Sequence, residues 1–278
     1  MGEYGSIIAN LSTLKKNEKS RVKSQESRVK SQESRTFSHV SNVTDYMRIT
    51  VQTIHNFFDG DLTHKRILDL PAGNGWVSNE INALGGNAVP ADINEEYPHY
   101  IQTDMEERLP FNDEEFDAVT CLEGIEHVLR PEALFSELAR VLKKGGLLII
   151  TTPNVQNFYS RYQLLCAGYL YQFDPFDKIP LKPNEIRDKG HISPVFYTQL
   201  RYYSELHNLK TLKPSGGRLK RIAAFPLFLP FLLIGFYWSF RDWQKTSNNQ
   251  DQFEIIKHLF SIRVLFSRSL IFKAMKNL

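Results

Sequence analysis

The stretch Arg66-Ile-Leu-Asp-Leu-Pro-Ala-Gly-Asn-Gly-Trp76 decides how the rest of the chain is read. An apolar pair, Ile67-Leu68, runs into a carboxylate at Asp69, and the chain then passes Gly73 and Gly75 into an amphipathic segment, Val77 to Leu84. That is a strand, a glycine turn and a helix in succession. Glycines at such a turn allow close backbone approach to a ligand. The helix that follows offers unpaired N–H groups to a carboxylate or other anion. In an open α/β sheet, the carboxyl end of a strand is where ligands bind. A G-x-G alone also closes ordinary loops, so the decision rests with what surrounds it.

Downstream, the period alternates. Ala88 to Ala91 reads as a second strand ending at Asp92, His99 to Thr103 as a third followed by Asp104-Met105, and Phe116 to Cys121 as a fourth. Pro131 to Leu142 has a helical apolar face, with Pro131 in its first turn and Lys143-Lys144-Gly145-Gly146 at its end. Leu147 to Ile150 is a continuous apolar fifth strand, as expected for one buried on both faces. Val155–Leu170 and Pro194–His207 read as helices, Leu209–Leu212 as a sixth strand and Leu270–Phe272 as a last one. Upstream, Thr44 to Phe58 has helical spacing and ends at Asp59-Gly60. Strands alternating with helices predict a doubly wound, mainly parallel sheet.

Such a sheet gathers acids. Asp69, Asp92 and Asp104 sit at strand ends and Glu123 just beyond the fourth, so all four line one edge. An acid after the second strand is placed to accept hydrogen bonds from ribose hydroxyls. Any one of them alone reads more readily as a helix cap or surface charge; four in register point to a cleft.

Charge is graded along the chain. The 278 residues carry a net +3, but residues 201–278 hold 13 Lys and Arg against 4 Asp and Glu, while residues 36–200 hold 13 against 23. An acidic centre suits a cationic ligand, and basic charge confined to the ends argues against a nucleic-acid substrate. Residues 1–35 contain Val22-Lys-Ser-Gln-Glu-Ser-Arg28 repeated as Val29 to Arg35, with one apolar residue per copy, and read as a disordered or frayed helical tail. The two cysteines, Cys121 and Cys166, are too few for a disulfide framework or a zinc site, so a cytoplasmic location is expected.

From Arg66 to Asn154 the order of motifs resembles the class I S-adenosylmethionine-dependent methyltransferases. The resemblance rests on Leu68-Asp69-Leu-Pro-Ala-Gly73-Asn-Gly75, Asp92, Asp104-Met105, Leu109-Pro-Phe111 with Phe116-Asp117-Ala-Val119, Glu126-His127-Val128, Arg140 to Gly146, and Thr152-Pro153-Asn154. It implies a seven-stranded Rossmann-like sheet occupying residues 36–215, with residues 216–278 supplying an apolar, basic insertion and the last strand. It also implies S-adenosyl-L-methionine as cofactor and no metal. Gly73 and Gly75 would pass close to its methionine part, Asp69 would help hold its amino group, Asp92 its ribose, and Asp104 and Met105 its adenine. Glu123 would lie on the cleft floor, and Glu126 and His127 are the candidates for a base where an acceptor must lose a proton. Two departures stand out. Pro71 replaces the usual first glycine, which requires that position to have negative φ. Only Ile93 to Pro98 separate the second and third strands, too few for a crossover helix.

Ile222 to Phe240 runs 19 residues without a charge, broken by Pro226, Pro230 and Gly235 and flanked by basic residues. Three readings are open: a single membrane span, a buried helix, or an interfacial insertion; the basic amphipathic Phe253–Leu270 favours contact with an anionic membrane. The functional expectation is methyl transfer to a small-molecule, glycan or lipid-linked acceptor at a membrane surface. The alternatives are a soluble-metabolite enzyme whose apolar run is a dimer interface, and a cofactor-binding protein without catalysis. Acceptor contacts are sought in Val155 to Ser193, at Arg161, Arg187 and His191.

Overall fold

A computed structural model describes residues 42–93, 99–173, 190–220, 222, 225–245 and 250–278. The repeat in residues 1–35, the short link at 94–98 and Arg187 lie outside them.

Eight strands form one sheet: β1 (Arg66–Asp69), β2 (Asn87–Asp92), β3 (Ile101–Gln102), β4 (Phe116–Leu122), β5 (Leu142–Pro153), β6 (Leu209–Thr211), β7 (Ser215–Gly216) and β8 (Ser269–Lys276). Their order is β3-β2-β1-β4-β5-β8-β6, with the short β7 beside β8. β1 through β5 pair in parallel, and β8 runs antiparallel between β5 and β6. The expected seven strands make up this path; β7, two residues long, is an addition.

Alternation along the strands explains the two layers. Ile67, Ala118, Leu147, Ile149 and Ile271 face one side, against Val51 and Ile54 of α1 (Asp45–Phe57) and Val77 and Ile81 of α2 (Trp76–Ala83). Leu68, Val119, Leu148, Ile150 and Phe272 face the other, against Leu134 and Leu138 of α3 (Pro131–Val141) and Leu200 of α5 (Tyr197–Leu206). Each such side chain contributes about 1.5–3 kcal/mol by leaving water, so shifting a strand by one residue would expose a whole layer.

Three local expectations change. The third strand keeps only Ile101 and Gln102 of the predicted His99–Thr103. The helix after Pro131 ends at Val141 rather than at Gly145-Gly146, and β5 begins at once. There Lys143 pairs with Asp117 at 2.9 Å, and Gly145, at φ 73°, absorbs the register shift between the Phe116 and Ala118 pairings. The helix predicted over Val155–Leu170 is shorter, α4 (Phe158–Ala167): Asn157 caps its start by accepting from Ser160 N, and Gly168 ends it at φ 78°.

The apolar run becomes α6 (Phe225–Lys245), followed by α7 (Gln250–Leu259) and α8 (Ile262–Phe266). Phe253–Leu270, expected as one amphipathic stretch, is broken at Ser261, which caps α8, and its end belongs to β8. No residue of α6 is buried, which removes the buried-helix reading. No helix among the described residues is long and apolar enough to cross a membrane. The single-span reading also fails topologically, because it would pull β8 out of the sheet. α6 is instead two-faced. Phe225, Phe228, Leu232 and Phe236 turn inward onto Phe158, Phe266 and Phe260. Leu227, Phe231, Ile234 and Trp238, at helical spacing, stand 49–71 % exposed.

Candidate active site

The glycine turn sits between the carboxyl ends of β1 and β2. Positive φ is required at Gly73 (52°) and Gly75 (71°) and not at Pro71, so the proline occupies a position it can adopt. Room for its ring comes from across the sheet edge: a Cβ on Gly124 would lie 2.6 Å from the Pro71 ring and 3.2 Å from the Met105 sulfur. Pro71, Met105 and Gly124 therefore form one contact joining the ends of β1, β3 and β4. The departure from glycine at 71 is matched by a glycine at 124.

Asp69 works beneath this turn. It is 1 % exposed, and its two oxygens accept from the Ser78 hydroxyl of α2 at 2.7 Å and the Thr120 hydroxyl of β4 at 3.1 Å. Burial pushes its carboxyl up to about 6, with those hydrogen bonds opposing the rise. Asp92 is 3 % exposed and accepts from the Gly73 amide at 2.9 Å, which ties the second strand to the turn. Tyr100 was not singled out in the sequence, yet it closes the turn from the other side. Its hydroxyl donates to the Gly73 carbonyl at 3.3 Å, and a Cβ on Gly75 would collide with it. It lies 27 residues along the chain from the glycine it touches, so no local signal marks it. Asp104 accepts from the Glu106 amide at 2.9 Å in a tight turn, and Met105 packs against the core.

A second group of acids lies at the end of β4. Glu123 has a left-handed backbone (φ 49°), unusual for a non-glycine residue, held by its amide donating to the Thr151 hydroxyl and carbonyl, each at 3.0 Å. The residue is half-buried, but its Oε1 is enclosed and without a partner among the described residues. Burial pushes its carboxyl up to about 7, against the pull of Thr151 and of the Arg268 charge. Glu126 follows in a short 3-10 turn (Ile125–His127), fully buried, with neither oxygen in a well-formed hydrogen bond among the described residues and only the Thr152 hydroxyl drawing on it. Burial, and then Glu123, hold its carboxyl well above the usual carboxylate range. Tyr46 of α1 faces both acids; burial and the Glu123 charge push its phenol to about 12, so it remains a donor.

His127 stands beside Glu126, its ring 4.9 Å from that of His191. His191 Nδ1 lies 2.8 Å from the Gln172 carbonyl, and the Glu126 carbonyl accepts from Ile192 and Ser193, each at 3.0 Å. These bonds bring the 190–193 segment onto the acid group. Donor atoms of Glu126, His127 and His191 all lie within 4.8 Å of one another, a set that could hold a cation. Arg161, expected among solvated loop residues, is on α4. It donates to the Gln156 carbonyl at 2.7 Å and lies over the Phe260 ring, so it is spent on packing.

The arrangement thus has a backbone cradle with an acid on each side and, joined to it through Gly124, a pocket of acids and histidines. These residues fit S-adenosylmethionine. The glycine backbone tied to Asp92 lets a ligand approach closely, as this cofactor requires.

Comparison with known proteins agrees. Residues 68–150 match a protein family described as "Methyltransferase domain". The chain is 38 % identical over 119 residues to a demethylmenaquinone methyltransferase of Clavibacter sepedonicus, covering 36 % of this chain and 47 % of that protein. It is 30 % identical over 131 residues to a ubiquinone biosynthesis O-methyltransferase of Dechloromonas aromatica (strain RCB), covering 41 % and 55 %. The chain therefore spans about half the length of the curated relatives it matches. In fold it resembles a solved SAM-dependent methyltransferase from Archaeoglobus fulgidus, with a TM-score of 0.51 and 17 % identity over 83 % of this chain and 94 % of that one. The motif order, the strand order and the cradle agree with these likenesses: residues 68–150 carry the match to a methyltransferase domain, in a fold like that of an S-adenosylmethionine-dependent methyltransferase.

Proposed function

We propose that this protein transfers a methyl group from S-adenosylmethionine to a small-molecule acceptor at a membrane surface. The observation that carries the reading is the pairing of a glycine cradle, tied to Asp92, with enclosed and unpartnered carboxylate oxygens at Glu123 and Glu126. When bound, the cofactor supplies an activated methyl on a sulfonium. Gly73 and Gly75 would lie against its methionine part, Asp92 would accept from its ribose, and Asp104 with Met105 would bracket its adenine. Asp69 acts from below, by fixing Ser78 and Thr120 and hence the angle of the turn. The chain's contribution to rate is placement of acceptor and donor in line, in a site closed from water. Where the acceptor must lose a proton, the raised proton affinity of the Glu123–Glu126 group lets one of these carboxylates, with His127 beside it, take that proton.

The surface part of the reading is supported by the outward stripe of α6 and by its basic surroundings, Arg218, Lys220, Arg241 and Lys245. An apolar helix face edged with cations lies stably in a headgroup layer. Quinone-type acceptors, which the names of the curated relatives indicate for those proteins, are amphiphiles of this sort.

The test is calorimetry with S-adenosylmethionine and S-adenosylhomocysteine on the full chain, followed by transfer of labelled methyl into lipid and saccharide fractions. Binding is expected, and Asp92→Ala should weaken it about tenfold or more, the scale of a lost charge-assisted hydrogen bond. Absence of binding would end the enzymatic reading; unchanged binding in Asp92→Ala would displace the ribose site.

A further inference from the structure

A cleft outside the glycine cradle opens between the start of α4 and the junction of α8 with β8. It is shallow and open to solvent, and its walls include Tyr159, Tyr171, Lys220 and Arg268, with Phe158 and Phe266 at its apolar side. Two cations and no acid line it among the described residues. Both are on pinned backbone. Lys220 N donates to the Phe266 carbonyl at 2.8 Å, the Asn154 amide donates to the Arg268 carbonyl at 2.9 Å, and an isolated antiparallel bridge joins Leu219 to Ser267 between them. The two phenols come from a tyrosine pair with ring centroids 5.3 Å apart.

We propose that this cleft receives an anionic oxyacid group, a phosphate or carboxylate, carried by the methyl acceptor. Cations paired across a strand bridge can grip such a group from two directions, and tyrosine hydroxyls can donate to it. Two placements favour the acceptor as its source over a bilayer lipid. Arg268 reaches both ways: it lines the cleft, and its charge acts on Glu123 and Tyr46 of the acid group. Backbone geometry makes the same link: Ser269, next to Arg268, pairs with Pro153 of β5, two residues beyond the Thr151 that accepts from the Glu123 amide, so an anion held by Arg268 sits at the same end of the sheet as the carboxylates assigned to the departing proton. On the opposite side the wall is Phe158 and Phe266, on which Phe225 and Phe228 of α6 pack, so the apolar remainder of an amphiphile is led toward the helix and away from water. The proposal rests on the methyltransferase reading above and adds to it the charge of the acceptor.

The cleft is tested with phenyl phosphate, titrated by calorimetry into the full chain, into Lys220→Ala and Arg268→Ala, and into the double variant. S-adenosylhomocysteine is titrated in parallel. Wild type is expected to bind phenyl phosphate and the double variant about tenfold or more weaker, as for loss of charge-assisted contacts, with cofactor affinity unchanged. Equal phenyl phosphate binding by wild type and double variant, or none by wild type, overturns the proposal whether or not the cofactor binds. Loss of cofactor binding in all proteins would instead strike the methyltransferase reading. The source is settled by two further arms. Labelled methyl product is passed over an anion exchanger, and vesicles of phosphatidylcholine with and without phosphatidylglycerol are compared for binding of wild type and double variant. Retention of the label, with vesicle binding alike in both proteins, supports an anionic acceptor. Label in the neutral fraction, or loss of phosphatidylglycerol selectivity in the double variant, overturns it.

Discussion

Asp69 and Glu126 make an instructive pair. Both are fully buried carboxylates near the carboxyl ends of neighbouring parallel strands, and burial raises the proton affinity of both. Asp69 has a hydroxyl on each oxygen, one from α2 and one from β4. Glu126 has no well-formed hydrogen bond among the described residues, only the Thr152 hydroxyl beside it, which offsets its burial in part. A buried carboxylate without partners costs several kcal/mol relative to one that is satisfied. The first acid therefore belongs to the scaffold that shapes the turn, while the second is arranged for something that arrives. Position at a strand end does not distinguish these roles; hydrogen-bond completeness does.

The sharpest break in that comparison would come from Glu126→Gln. For an acceptor that must lose a proton, methyl transfer at a pH where the Glu123–Glu126 pair is ionised is expected to fall about 10²–10⁴-fold, the range for a lost base. The melting temperature should hold or rise, because an uncompensated buried acid is gone. A variant that melts lower yet transfers normally would make Glu126 scaffold after all. Asp69→Ala should do the reverse. Removing the acceptor of two buried hydroxyls should cost about 2–3 kcal/mol of stability, read as a lower denaturant midpoint, and activity that survives in the folded fraction would agree with a role beneath the turn.

A smaller effect is expected from pH. Asp69 and Glu123 hold protons up to about 6 and about 7 in the folded chain, above their unfolded values, and Glu126 is raised well above its own. The folded state therefore binds more protons through that window. The stability these acids contribute is fully present below their unfolded values and is lost as pH rises through the folded ones. The gain in melting temperature from Glu126→Gln should accordingly be larger at about pH 8 than at about pH 5. A gain independent of pH would mean that Glu126 is not protonated in the folded protein. The least effect on stability should come from Phe231→Asp with Trp238→Asp on the outward stripe of α6. Exposed positions shift stability by only about 0.5 kcal/mol, but vesicle flotation should be lost; flotation unchanged would remove the membrane from the proposed function.

Much of this was written in the order of residues. The strand, glycine turn and helix at Arg66–Trp76, the acids at Asp69, Asp92 and Asp104, and the alternating period through Ile150 were enough to place a doubly wound sheet and one acid-lined edge, because strand ends of a parallel sheet all point the same way. Residue order also exposed Pro71 as a departure, and proline stereochemistry stated what it required. It could not supply Gly124, which makes room for the ring, since the two meet only across the sheet. Tyr100 on the turn, His191 beside His127 and Arg268 facing Glu123 were hidden for the same reason: each pairing joins segments far apart in the chain. The apolar run shows the limit most plainly. Composition determined that Ile222–Phe240 is apolar with basic neighbours, and it left three readings open. Tertiary structure removed two of them, the single span because β8 lies beyond the run and must return to pair with β5, and the buried helix because α4, α7 and α8 cover one face of α6 and not the other.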